Sequence, residues 1–104
     1  MVLLQDVIGE KINKGISLKL LGINEYAWDY KNITDIISLL REKKISILGG
    51  DVYIVKNGII NTTFDSWYFD TKSDADYEDS YKKAIDYINI FETKEEKYIY
   101  SIII

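Results

Sequence analysis

The sequence predicts a single α+β domain spanning residues 1–104, in which an antiparallel sheet with a central hairpin at about residues 45–64 carries about three packing helices. Three observations predict it. Asn57-Gly58 lies between two runs rich in β-branched and aromatic residues, and this dipeptide accepts the positive φ angles of a type I′ turn, whose twist matches that of paired strands. Other stretches repeat apolar residues at helical spacing. At 104 residues, with no linker, internal repeat or low-complexity segment, the chain supplies one core and not two.

Taken in order, Leu4, Val7, Ile8 and Ile12 predict a first helix over residues 3–13, with Gly15 just past its end, where helices accept glycine. Ile16, Leu18 and Leu20 then alternate with Ser17 and Lys19, the pattern of a short half-buried strand over residues 16–21 that Gly22 ends. Asp29 or Asn32 caps a second helix running to about Lys43, with Ile33, Ile36, Ile37 and Leu40 as its apolar stripe. Lys43 and Lys44 complement the negative end of its dipole. The hairpin follows, its first strand at residues 45–55 and its second from Ile59 to about Phe64. Gly49-Gly50 removes two side chains from a strand, which predicts a β-bulge or a close approach of backbone.

Beyond Trp67-Tyr68-Phe69, a third helix is capped by Ser73, Asp74 or Asp76 and turns Tyr77, Tyr81, Ala84, Ile85, Ile88 and Phe91 to one face. Residues 93–96 read as a charged loop. Residues 97–104 read as a closing strand whose Ile102-Ile103-Ile104 is apolar on both faces, which places it inside the sheet or beneath helices.

Composition restricts the chemistry. Without cysteine there is no disulfide framework, thiolate metal site or cysteine nucleophile, and a reducing cytoplasm fits. Without histidine, the commonest general acid/base and zinc ligand are missing too. The apolar run at the N-terminus is too short for a secretory signal and lacks its positive lead, and no run approaches a membrane span. A formal charge of −4 argues against nucleic acid and favours a basic partner.

Two carboxylate groupings invite a metal. An EF-hand frame starting at Asp74 would need a glycine at Asp79 and a glutamate at Ile85, so calcium does not fit; favourable charge at a helix N-terminus accounts for the tract. Asp51 with Asp65 or Asp70 could hold magnesium in a small carboxylate-dependent enzyme. No phosphate-cradling glycine loop accompanies them, and the reading favours no metal, no cofactor and no enzyme. Trp67, Tyr68, Phe69 and Tyr53 are core residues by default, yet three consecutive aromatics cannot all face one side of an extended segment. At least one lies near the surface or under the third helix.

Ile47-Leu48-Gly49-Gly50-Asp51-Val52-Tyr53, then Asn57-Gly58, then Phe64-Asp65-Ser66-Trp67-Tyr68, then Tyr81 to Tyr87-Ile88 on a closing helix, resembles the immunity protein 40 family of bacterial polymorphic toxin systems. The resemblance covers roughly residues 20–90 and includes the Asn24-to-Ala27 lead into the second helix. Phe64 stands where that pattern carries Tyr, which bears on one hydroxyl. The resemblance implies a non-enzymatic inhibitor, encoded beside a toxin and neutralising it by binding. It assigns no contact residues. Physical reasoning places the partner surface on Asp65, Trp67, Tyr68, Asp70, Asp74, Asp76, Glu78 and Asp79, and gives Gly49, Gly50, Asp51, Tyr53, Asn57 and Gly58 a structural part. If the toxin is a basic nuclease, such a surface would act as a nucleic-acid mimic. The alternatives are the small metal-dependent enzyme and an adaptor or structural binding domain.

Overall fold

The computed structural model describes residues 4–70 and 77–104. Its hairpin pairs β3 (Gly49–Lys56) with β4 (Ile59–Tyr68) across Asn57-Gly58, whose φ angles of +53° and +77° give the expected turn. β5 (Lys97–Tyr100) pairs antiparallel with the other side of β3, so the sheet order is β4-β3-β5 and the glycine-bearing strand is central. A separate two-stranded ribbon joins β1 (Ile16–Ser17) to β2 (Tyr26–Ala27). Its exit reaches the main sheet where Trp28 and Tyr100 exchange two backbone hydrogen bonds of 2.8 Å.

The helices cover one face of this sheet and the ribbon covers the other. Adjacent residues of an extended strand point to opposite sides, and β3 and β5 use both. Val52 and Tyr100 join Ile33, Ile36, Leu40, Ala84 and Ile88 in the main core, whereas Tyr53 and Ile99 join Leu18 and Ala27 in a smaller one. Each large aliphatic side chain so buried contributes about 1.5–3 kcal/mol.

Helix α2 (Tyr30–Glu42) is the predicted one, capped by Asp29, whose carboxylate accepts from the Asn32 N–H at 3.0 Å, and its apolar stripe is buried as expected. It ends with Lys44 at φ +57° and the Ile45 N–H donating to Leu40 O at 2.9 Å, a Schellman closure. This closure corrects the strand expected from residue 45. The Ile47 N–H is given to Ser80 Oγ at 3.0 Å, and pairing starts only at Gly49. Helix α3 (Tyr77–Glu92) packs beside α2, and its Tyr81 hydroxyl reaches the carbonyls of Leu40 and Ile45 at 3.1 and 2.7 Å. The proposed caps Ser73, Asp74 and Asp76 lie outside the described residues.

Four other expectations change. The first helix is only α1 (Leu4–Ile8), because Gly9 at φ +55° interrupts it and a 3-10 segment, Gly9–Lys14, completes the stretch. Gly15 is extended rather than a left-handed cap; it is glycine because a Cβ would stand 2.9 Å from Trp28 Nε1. The strand expected over residues 16–21 stops after Ser17, and Lys19–Leu21 is a 3-10 turn. The closing strand is shorter than expected and lies at an edge, yet residues 101–103 keep its register, with Ser101 and Ile103 donating to the carbonyls of Asp51 and Gly49 at 3.0 and 2.9 Å.

The hairpin's irregularity sits elsewhere than Gly49-Gly50. Asp51 faces Ser66 and Tyr53 faces Thr62, so Val52 alone opposes Thr63, Phe64 and Asp65, and Phe64 takes φ +64°. β4 therefore bulges and then continues to Tyr68, past the end expected at Phe64. The glycines serve the close approach that was the other reading. A Cβ on Gly49 would meet Trp67 O at 2.4 Å, and one on Gly50 would meet Ser101 O at 2.2 Å and the Trp67 ring at 2.3 Å.

Candidate functional site

The bulge adds two residues to β4 and so leaves its alternation unchanged: Trp67 pairs with Gly50 on the helix-covered face, and Tyr68 pairs with Gly49 on the other. Trp67 crosses the bare Cα of Gly50 and is 5% exposed, starting a chain of rings that runs through Tyr87 (5.4 Å between centroids) to Phe91 (5.5 Å) and Tyr98 (5.1 Å). It is a core residue, and its Nε1 has no hydrogen-bond partner among the described residues. Tyr68 is turned outward and is 71% exposed. Its carbonyl accepts from the Lys83 ammonium, which ties the end of β4 to α3.

Tyr68 overlooks a cleft of about 490 Å³ where the ends of β3 and β4 meet the closing segment. Leu48 and Ile103, 40% and 44% exposed, form its apolar rim, and Asp51 and Asp70 supply negative charge. The Leu48 N–H donates to Ile103 O at 2.8 Å, and the Phe69 N–H donates to Leu48 O at 2.8 Å. Both sides of the cleft are thus held by backbone. A rigid apolar hollow edged by carboxylates is suited to receiving a protein side chain with a basic neighbour.

The acidic residues are dispersed. Asp65 stands beside Tyr87, whose hydroxyl is pushed up first by burial and then by that carboxylate. Asp51 lies on the opposite face of the sheet, beside Tyr53 and Glu25. Burial, and secondarily Asp51, raises the Glu25 carboxyl above its ordinary value; burial, Asp51 and Glu25 raise Tyr53, against a lowering hydrogen bond from Ser101. Glu78 is paired with Arg41 at 3.1 Å. Asp79 belongs to another shallow hollow on α3, with Lys82, Lys83 and Asp86. Asp74 and Asp76 lie outside the described residues. Among the described residues, no three carboxylates converge to hold a metal ion.

The structure therefore brings Asp51, Tyr68 and Asp70 to one cleft with Gly49 and Gly50, and keeps Glu78 and Asp79 apart from it. Sequence reasoning missed Leu48, Ile103, Glu25 and the exposure of Phe64. Leu48 and Ile103 each sit beside residues that are buried, and only the meeting of two distant segments makes them a rim. No helix among the described residues is long and apolar enough to cross a membrane.

Comparison with known families matches residues 17–104 to a family described as Immunity protein 40. Comparisons with curated proteins and with solved structures returned no match.

Proposed function

The chain belongs to the immunity protein 40 family, and from that premise we propose that it acts in the bacterial cytoplasm as a non-enzymatic inhibitor that binds and neutralises a cognate polymorphic toxin. The family match carries this reading, since it takes in every part of the cleft. The cleft supports it, because exposed Tyr68 with carboxylates at Asp51 and Asp70 combines an amphipathic aromatic with charge that steers a basic partner. Of the two aromatics, Trp67 and Tyr68, expected in the partner surface, Tyr68 is the one free to anchor a partner, because Trp67 is buried. A toxin whose active cleft holds phosphate, as a nuclease cleft does, is positive, and carboxylates can occupy it as a nucleic-acid mimic.

The test uses the C-terminal domain of the polypeptide encoded immediately upstream. Co-expression of the full chain should restore growth of cells making that domain, and the two should form a complex whose association slows as salt rises. Changing Asp70, Asp74 and Asp76 together to Asn should slow association further and flatten the salt dependence. Growth arrest that the chain does not relieve, with no complex formed, would sink the reading. A complex without relief would favour the adaptor.

A further inference from the structure

We propose that Phe64 is a preset anchor that enters an apolar socket with a basic rim on the toxin; this rests on the reading above. Phe64 combines two properties that the fold itself does not require. Its φ of +64° lies in the left-handed region that bulky residues rarely adopt, and its side chain is 90% exposed. Asn or Gly would occupy that backbone with less strain, and a polar side chain would suit the solvent better. Neither was used.

The conformation is held from beneath. The Phe64 N–H donates to Thr62 Oγ1 at 3.0 Å, the Asp65 N–H donates to Thr63 Oγ1 at 3.0 Å, and the Thr63 hydroxyl donates across the strands to Val52 O at 2.8 Å. Two side chains thus satisfy the amides that the bulge removes from the ladder. A residue held in a sparsely populated conformation by its surroundings, at an exposed bulge, is the arrangement found where a side chain is aimed at a partner. Fixing its backbone beforehand also lowers the entropy lost when an aromatic docks.

Charge selects the occupant. Asp65 follows Phe64 directly, and the chain as a whole carries a formal charge of −4. A second copy meeting this patch about a two-fold axis would set carboxylates against carboxylates, and an anionic lipid surface would repel them. A protein socket ringed by Lys or Arg does neither.

Binding of the full chain to the upstream-encoded C-terminal domain is measured for the parent, Phe64→Ala and Phe64→Asn, with melting temperatures for all three. Both variants should bind roughly 30-fold more weakly or worse, chiefly through faster dissociation. Phe64→Asn should melt above the parent, because Asn tolerates the left-handed region. Thr63→Val, which unlocks the bulge but leaves the ring, should weaken binding by a smaller factor. Parent binding that Phe64→Ala leaves within about threefold would overturn the anchor alone. No binding by the parent would remove the toxin reading and the anchor with it. A melting temperature for Phe64→Asn below the parent's would overturn the strain argument, and a parent dimer lost in Phe64→Ala would assign the ring to a second copy.

Discussion

β3 and β4 are two arms of one hairpin, joined by a two-residue turn, yet they are built to opposite ends. β3 is paired on both sides, covered on both faces and stripped of side chains at Gly49 and Gly50 where neighbours press closest. β4 is paired on one side, mostly exposed, and broken by a bulge that holds a phenyl ring in solvent. The difference teaches that position in the sheet, more than residue type, sets what a strand can do. The central strand is paired along both flanks and has no room for a side chain at Gly49 or Gly50, whereas the edge strand has room to deform and to display.

The contrast can be broken most severely at the one large β4 side chain that behaves like a β3 residue. Trp67→Ala should cost about 3–5 kcal/mol, because it removes a large buried ring at the head of the ring chain and leaves a cavity over Gly50. Chemical denaturation should show it as a lowered midpoint, and a loss below 1 kcal/mol would mean that the ring is not core. Gly50→Ala tests the other arm. Its Cβ would meet the backbone carbonyl of Ser101, which cannot swing aside, so a loss of about 1–3 kcal/mol is expected from a single methyl group. Unchanged denaturation would show that β5 can move away from β3.

The smallest expected effect lies beside β3, at Glu25. Its carboxyl is raised by burial and by Asp51, so the folded state holds the proton more tightly than the unfolded one. Stability from this group is therefore present at low pH and lost as pH rises through the folded value. Glu25→Gln should melt slightly above the parent at pH 7, and the gain should vanish at pH values below the ordinary glutamate range, where both folded and unfolded parent are protonated. Asp51→Asn should lower the Glu25 titration midpoint, read by NMR. A midpoint that does not move would separate the two carboxylates.

What could be read from the sequence was what neighbours along the chain decide. The Asn57-Gly58 turn, the Asp29 cap and the stripe of α2 depend on residues within a few positions, and each stands as expected. The bulge did not announce itself, because Thr62-Thr63-Phe64-Asp65 contains no glycine and is held by Thr63 reaching Val52 on the other strand. Trp67 was read as core by default, but Tyr68 was not told apart from it, because the choice between the two faces is made by pairing with Gly50 and Gly49 on the other strand. The site fared similarly. Asp51, Tyr68 and Asp70 were singled out for their types, but their shared cleft exists only because residues 101–103 return to residues 48–51. Glu78 looked available until α2 brought Arg41 to it.

The order β4-β3-β5 has a consequence during synthesis. The hairpin leaves the ribosome with both arms adjacent, but the second partner of the central strand is made only after the whole of α3. Until then the apolar run Val52-Tyr53-Ile54-Val55 has one open flank, and a two-stranded hairpin is marginal on its own. Closing the sheet joins Val52 to Tyr100 across a long intervening loop, a slow step of high contact order. The nascent chain thus carries a sticky strand from the end of β3 until β5 is made, and chaperone demand should peak just before residues 97–100 emerge.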